Sequence, residues 1–350
     1  MSWFVSLLVL SGLIFFHELG HYLMARAVGV YVEVFSIGFG KKLFSFHKFN
    51  TQWSISAIPL GGYVKMKGQD DSDPSKKSYD ADSYNTKTPT QKILILLAGP
   101  AANFVLAFVL YFFIALGSPN VLSPVIGTVT KDSPAFIAGL ESNDTVTAIN
   151  GLAIESWKDM AKAISTSNGT LSLTIKRNGF LEEKTLTPKL QMSTNVFGEQ
   201  IERKMIGISS AGITHQLELG FYETFAYATE QTIFASTMIF TGVKKLILGE
   251  VPAKDLGGVI SIVKITSDAT AAGWMSVLFF AALISVNLGV LNLLPIPALD
   301  GGHIMFNLYE LIFRREASEQ MVINLTIGGW VILFGLMGLG LFNDITRLVG

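Results

Sequence analysis

Sixteen residues without a charge, Met1 to Phe16, run directly into His17-Glu18-Leu19-Gly20-His21. That continuity restricts the fold more than any other feature of the chain. Read as a helix through Ala27, the segment is about 39 Å long, enough to cross about 30 Å of hydrocarbon. His17 falls about 24 Å along it, below the far surface. On a helix His17 and His21 share a face, and Glu18 lies one step round from them. Two neutral imidazoles, a carboxylate base and an open coordination position are what a zinc peptidase needs. The bland alternative is a histidine pair satisfied by neighbouring helices. Ionisable groups at that depth are costly, however, and point to a functional site. The run lacks a basic leader and a small-x-small cleavage site, so it is expected to be retained as a first span.

Only 15% of the 350 residues are charged, against about 25% in an ordinary soluble protein. Part of the solvent is therefore lipid. The net charge of −1, from 26 basic and 27 acidic residues, gives no case for a nucleic-acid partner. The absence of cysteine excludes disulfides, thiolate metal sites and a Cys nucleophile, leaving His, Asp and Glu as strong metal ligands.

Four domains or segments are expected. Residues 1–118 hold two spans and an intervening β-rich region; 119–195 form a small soluble domain. Residues 196–273 are a linker with an interfacial amphipathic helix, and 274–350 hold the third and fourth spans. In the first segment, Tyr31 to Ile37 and Leu43 to Phe46 alternate as strands, with a turn expected at Gly38-Phe39-Gly40-Lys41. Trp53 to Ile58 is a further strand, and Gly61-Gly62 would let a backbone come close. A sheet edge here could take an extended peptide as an added strand beside the metal. A hairpin that merely packs on the membrane surface is the alternative. Gln69 to Thr90 is polar and reads as an exposed loop. Ile93 to Leu116 is the second span, interrupted at Ala98-Gly99-Pro100-Ala101-Ala102-Asn103, with Asn103 expected to act as polar glue against the first helix.

The soluble segment carries Ser133-Pro134-Ala135, Asn143 to Gly151, and two strands joined at Asn178-Gly179, a two-residue hairpin signal. This order resembles a PDZ domain, which binds peptide ends by strand addition. Ile126 and Gly127, with Val125, are the expected groove lip; a steric filter is the alternative role. Phe221 to Leu248 is broken by charges and reads as an interfacial helix. Met275 to Leu294 and Met321 to Phe342 complete four spans. With four, the first and third run the same way, so Asp300, just beyond the third, reaches the face that carries His17 and His21. Asp300 is thus the expected third metal ligand, with His303 as its rival. Ten Lys/Arg between Arg26 and Lys92 make that face cytoplasmic and the PDZ-like domain extracytoplasmic.

Together, His17 to His21, Gly99 to Asn103 and Asn292 to His303 resemble the site-2 protease family of intramembrane zinc metalloproteases. The single PDZ-like insert and Leu299-Asp300-Gly301-Gly302-His303 are closest to its regulator of sigma-E protease branch, although many relatives there carry two such domains in tandem. The resemblance covers nearly the whole chain. It implies a polytopic α-helical membrane protein of four transmembrane helices, a membrane-associated β-hairpin region and one inserted PDZ-like α+β domain. It implies Zn2+ held by His17, His21 and Asp300, Glu18 as catalytic base, and Asn292 seating the substrate or its oxyanion. The strands around Gly38-Phe39-Gly40 and Gly61-Gly62 match the family's membrane-re-entrant β-loop, with Gly38, Gly40, Gly61 and Gly62 as expected substrate-binding residues. The expected partners are the lipid bilayer, single-span membrane proteins and, at the PDZ-like domain, peptide termini. The expected place is a bacterial inner membrane. The substrate is an anti-sigma factor already cut outside, or remnant signal peptides. A scaffold with structural zinc, or a zinc transporter, are the readings from other classes. Glu18 argues against the first, and the single depth of the ligands against the second.

Overall fold

The structure is a computed structural model that describes residues 2–69 and 78–349. It divides into two units, residues 1–114 with 223–350, and residues 115–222. The middle of the expected loop at Gln69 to Thr90 lies outside the described residues.

The first unit begins with α1 (Ser2–Ala27), followed by β1 (Val32–Lys48) and β2 (Thr51–Met66). The expected turn at Gly38 to Lys41 is not a reversal. Gly38 and Gly40 adopt left-handed backbone (φ 86° and 84°), and the register shifts there while β1 continues. The chain reverses instead at Phe49-Asn50, both left-handed (φ 54° and 57°), the twist a two-residue hairpin requires. Val34 pairs with both Gln52 and Lys65, and Ile37 with both Ile55 and Gly62. The first half of β1 therefore lies between two parts of β2. The Gly62–Met66 part forms a border to which no further strand pairs among the described residues. Phe35, buried, stacks on Trp53 at 4.5 Å and meets Tyr22 of α1 at 5.9 Å, fixing the sheet to the first helix.

The second helix, α2 (Pro89–Leu116), runs through Pro100 without ending. A proline there removes one backbone donor, which is tolerated in a span whose neighbours re-satisfy the backbone. Gly20 of α1 lies directly against the Ala98 carbonyl, so a side chain at 20 would force the two helices apart.

The second unit carries β3 (Asn120–Leu122), β4 (Ile126–Val129), α3 (Pro134–Ile137), β5 (Thr145–Ile149), β6 (Leu152–Ala153) and α4 (Trp157–Thr166). It continues through β7 (Leu171–Arg177), β8 (Phe180–Leu186), β9 (Lys189–Thr194), β10 (Gln200–Met205), β11 (Ile208–Ser210) and β12 (Thr214–Gln216). Four strands form a sheet in the order β6-β5-β7-β8, while β4 pairs with β11 and β3 with β12. The last strands thus return to the first, making residues 115–222 one PDZ-like α+β unit. Its core joins Ile126, Val146, Met160, Leu173 and Ile175, all essentially buried. The helix α4 is set by a capping box between Ser156 and Asp159, and it buries Met160 and Ile164, four apart on one face. Arg177 forks onto Asp144, Nε to Oδ1 and Nη2 to Oδ2, each at 2.7 Å.

The first unit resumes with α5 (Phe221–Ile247), α6 (Val259–Ala272), α7 (Trp274–Asn292), α8 (Asp300–Phe313) and α9 (Glu319–Val349). Among the described residues, four helices are long and apolar enough to cross a membrane: Val5–Ala27, Pro89–Leu116, Trp274–Asn292 and Glu319–Val349. The helix α5 is not among them; its small residues Ala228 and Ala235 are buried with Ala107 and Tyr111 of α2 and Val286 of α7. Along α7 the buried residues recur at 281, 285 and 289 and at 282, 286 and 290. That stripe of small side chains is how apolar helices approach closely when lipid removes the hydrophobic drive. Asp344 of α9 accepts the N–H groups of Gly258 and Ser261, each at 3.0 Å, and so caps α6 from the far end of the chain.

A His-His-Asp triangle on apolar helices

Helical spacing puts His17 and His21 one turn apart on α1, and the rings meet edge-on with centroids 4.8 Å apart. Asp300 enters from the first turn of α8. It gets there because Gly301 and Gly302 press on the backbone of 293–294 and 296–297 with no room for a β-carbon. The three residues group their ligand atoms within 4.8 Å. Nε2 of His17 lies 3.2 Å from Nε2 of His21, and these atoms lie 3.3 and 3.4 Å from Asp300 Oδ2. Atoms bound to zinc at about 2.0–2.1 Å on tetrahedral vertices stand about 3.3–3.4 Å apart, so the triangle has zinc dimensions.

Donor chemistry supports the same fit. His21 Nδ1 lies 2.8 Å from the Ile95 carbonyl, which can only accept, so the ring proton sits on Nδ1 and Nε2 presents a lone pair. Asp300 Oδ2 is buried without a hydrogen-bond partner among the described residues. An unpaired carboxylate oxygen facing an imidazole lone pair is unfavourable unless a cation lies between them. The residues present therefore fit zinc, with a fourth position left over for water or substrate.

Other expected site residues are distributed around this triangle. Asn292, the last residue of α7, places Nδ2 3.3 Å from His17 Nε2. Gly62 lies against α1: a β-carbon there would stand 3.2 Å from Glu18 Cγ and 2.9 Å from the Ser36 carbonyl oxygen. Gly61 (φ 118°) faces the Phe39 ring, and Gly38 faces the Ile58 carbonyl, so both serve the close approach of the two strands. His303 lies one turn along α8 and is not part of the triangle. In the PDZ-like unit, Ile126 is buried and paired across to Ser210, and Gly127 packs on Ser210. That stretch of β4 is engaged by β11 rather than presented as an open edge. A cavity of about 560 Å³ lies next to it, lined by Val125, Thr145, Thr147, Glu155, His215 and Glu218 among others.

Two contributors have no motif to announce them. Ile95 acts through its main-chain carbonyl, and Ser285 donates to the Asn103 carbonyl at 2.8 Å from within α7. The only sequence signal near either is the run of small residues at 98–102, which lets α2 come close to the metal helix. Gly99 is pressed against the His21 ring itself.

Helices that suit lipid and a triangle that suits zinc share the same stretches of chain, and together they describe a zinc metalloprotease of the membrane. The chain belongs to peptidase family M50, whose model matches residues 5–336. It is 47% identical to a Campylobacter jejuni protein named as a candidate zinc metalloprotease, over 100% of this chain and 95% of the relative. Relatives with the same description in Helicobacter pylori strain J99 (42%, covering 99% of each chain) and Clostridium acetobutylicum (34%, covering 99% and 98%) match at full length too. Among solved structures, the PDZ domain of the SdrC-like protein of Listeria monocytogenes aligns at 24% identity over 25% of this chain and 84% of that one, with a TM-score of 0.19. The PDZ-like character of residues 115–222 stands on the unit's own strand order, not on that overlap.

Proposed function

We propose that this protein cleaves the transmembrane segments of single-span membrane proteins, as a member of the regulator of sigma-E protease branch. The observation that carries the reading is a zinc-sized triangle two of whose corners belong to a helix built to cross lipid. A soluble substrate would not require its hydrolytic centre there.

When bound by His17, His21 and Asp300, zinc supplies Lewis-acid polarisation of a carbonyl and lowers the pKa of its water toward about 7. Glu18, one residue from His17, takes the proton from the attacking water and returns it to the leaving amine. Asn292 Nδ2, beside His17 Nε2, holds the scissile carbonyl oxygen. A transmembrane helix bonds its own carbonyls internally and must unwind before any of them is attacked. The Gly62–Met66 border of β2, next to Glu18, offers main-chain partners to the unwound stretch, so strand addition offsets the bonds lost. An apolar cavity of about 420 Å³, lined by Phe240 of α5 and by Val290, Leu293, Leu294 and Pro295 around the end of α7, suits the side chains of such a substrate. The basic loop between Arg26 and Lys92 supports a cytoplasmic position for this centre in a bacterial inner membrane. Anti-sigma factors trimmed by a first extracytoplasmic cut, or remnant signal peptides, are the substrates of this kind, with peptide termini captured at the PDZ-like unit.

The test is Glu18→Gln in purified protein with a single-span substrate in proteoliposomes. Full zinc occupancy with cleavage reduced by about three orders of magnitude or more is expected, as for loss of a general base that also orients the nucleophile. Turnover near that of the unaltered protein would remove Glu18 from its role. Membrane stubs accumulating in a Glu18→Gln strain would name the substrate class.

A further inference from the structure

Two imidazoles can share one metal through Nε2 only if each carries its proton on Nδ1. For His21 the Ile95 carbonyl meets that requirement. For His17 the group in front of Nδ1 is the side-chain amide of Asn103, 3.1 Å away and fully buried. An amide can present either its NH2 end or its oxygen to a ring nitrogen. With the NH2 end toward His17, Nδ1 would have to accept, its proton would move to Nε2, and that atom could no longer bind metal. In the same orientation Asn103 Oδ1 is left buried with no partner among the described residues. Exchanging the two ends removes the conflict at His17, because the oxygen then accepts the hydrogen bond of the Nδ1 proton.

We propose that Asn103 is a positioning residue whose amide oxygen accepts the Nδ1 proton of His17 and thereby turns Nε2 toward the metal. Its backbone is held for the purpose. Ser285 Oγ of α7 donates to the Asn103 carbonyl at 2.8 Å, with both residues buried. The next residue, Phe104, packs on Gly289, where an added β-carbon would meet its ring at 3.1 Å. Thus α2 orients both imidazoles of α1, one through a main-chain carbonyl and the other through a side-chain amide eight residues further on. Asn103 is then more than glue between helices: it selects which nitrogen of His17 is bare. The inference rests on the zinc reading of the triangle, and the experiment separates failure of one from failure of the other.

The measurement is metal affinity of the full-length protein in detergent, by competition with a chromophoric chelator, together with the visible spectrum of the Co2+-loaded protein. Asn103→Leu keeps the volume and removes the acceptor; Asn103→Asp keeps the shape and leaves a group that only accepts. Asn103→Leu is expected to bind zinc about 10–100-fold more weakly with an altered Co2+ spectrum, and Asn103→Asp to stay within about threefold of the unaltered protein with its spectrum retained. Affinity as weak in Asn103→Asp as in Asn103→Leu would show that the amide donates, and would overturn the proposal. Unchanged affinity in Asn103→Leu, with zinc lost in Asp300→Ala, would overturn it also and leave the triangle standing. Unchanged zinc in Asp300→Ala would remove the triangle and this inference with it. Where Asn103→Leu does not fold, Asn103→Asp alone still decides between accepting and donating.

Discussion

On the proposed zinc reading, metal retention turns on Asp300 Oδ2. It stands 3.3 and 3.4 Å from the two Nε2 atoms and supplies the anionic corner of the triangle. Two neutral imidazoles alone leave zinc with two protein bonds and its full double charge. Asp300→Ala is therefore expected to lower the zinc bound per chain to well under half of the full complement, measured by atomic absorption after dialysis. His303→Ala, one turn further along α8 and outside the triangle, is expected to keep it. At this scale the sequence is generous. Helical spacing fixes His17 and His21 on one face wherever the helix goes, and counting spans brings Asp300 to the same side. What it withholds is the hydrogen-bond partner of each ring. Nothing in the letter for Ile95 says that its carbonyl faces His21, and Asn103 reads equally well as a bond to any neighbouring helix.

The helices α1 and α2 meet through missing side chains. Gly20 lies against Ala98, and Gly99 against the His21 ring, so the close approach and the ring orientation depend on the same two positions. Gly99→Ala would drive a methyl group into His21, and is expected to cost about 1–3 kcal/mol of stability as an overpacked contact and to weaken zinc binding. Gly335→Ala on α9, where an added methyl meets nothing among the described residues, is the matched control: it should leave zinc binding unchanged and raise stability by no more than about 1 kcal/mol through helix propensity. Thermal unfolding and zinc competition on the pair would check both statements. The elements themselves were unequally legible. Long apolar runs announce spans because lipid demands them. The run at 259–272 is too short to announce anything, and its cap, Asp344, comes from α9, so α6 goes unread. The pair Gly38 and Gly40 suggests a turn, because glycine spacing alone does not distinguish a reversal from a bulge inside a continuing strand.

For the molecule as a whole, the two units respond to different variables. The membrane unit should follow metal, the PDZ-like unit acidity. In the latter, burial resists ionisation of Asp144, but the Arg177 fork and the Glu141 N–H at 2.8 Å hold its carboxyl below the usual carboxylate range. A lowered folded pKa contributes stability that is complete above about pH 4, the ordinary value, and is lost as pH falls through the folded one. Hydrogen exchange at the β5 and β7 amides of the intact protein is thus expected to accelerate as pH drops below about 4, after correction for the intrinsic rate. Asp144→Asn should flatten that limb and cost about 1.5–3 kcal/mol at neutral pH. The unit's extent was only partly legible. Its first strands and the Asn178-Gly179 hairpin show in the sequence, whereas β11 and β12, three residues each, are strands only because β4 and β3 await them.

The two histidines precede their carboxylate partner in the chain, with the second span, the PDZ-like unit and the third span lying between them. A ribosome therefore translates all three of those segments before a complete set of the proposed ligands exists. Every truncated or stalled product ending ahead of Asp300 lacks the anionic corner of that proposed set.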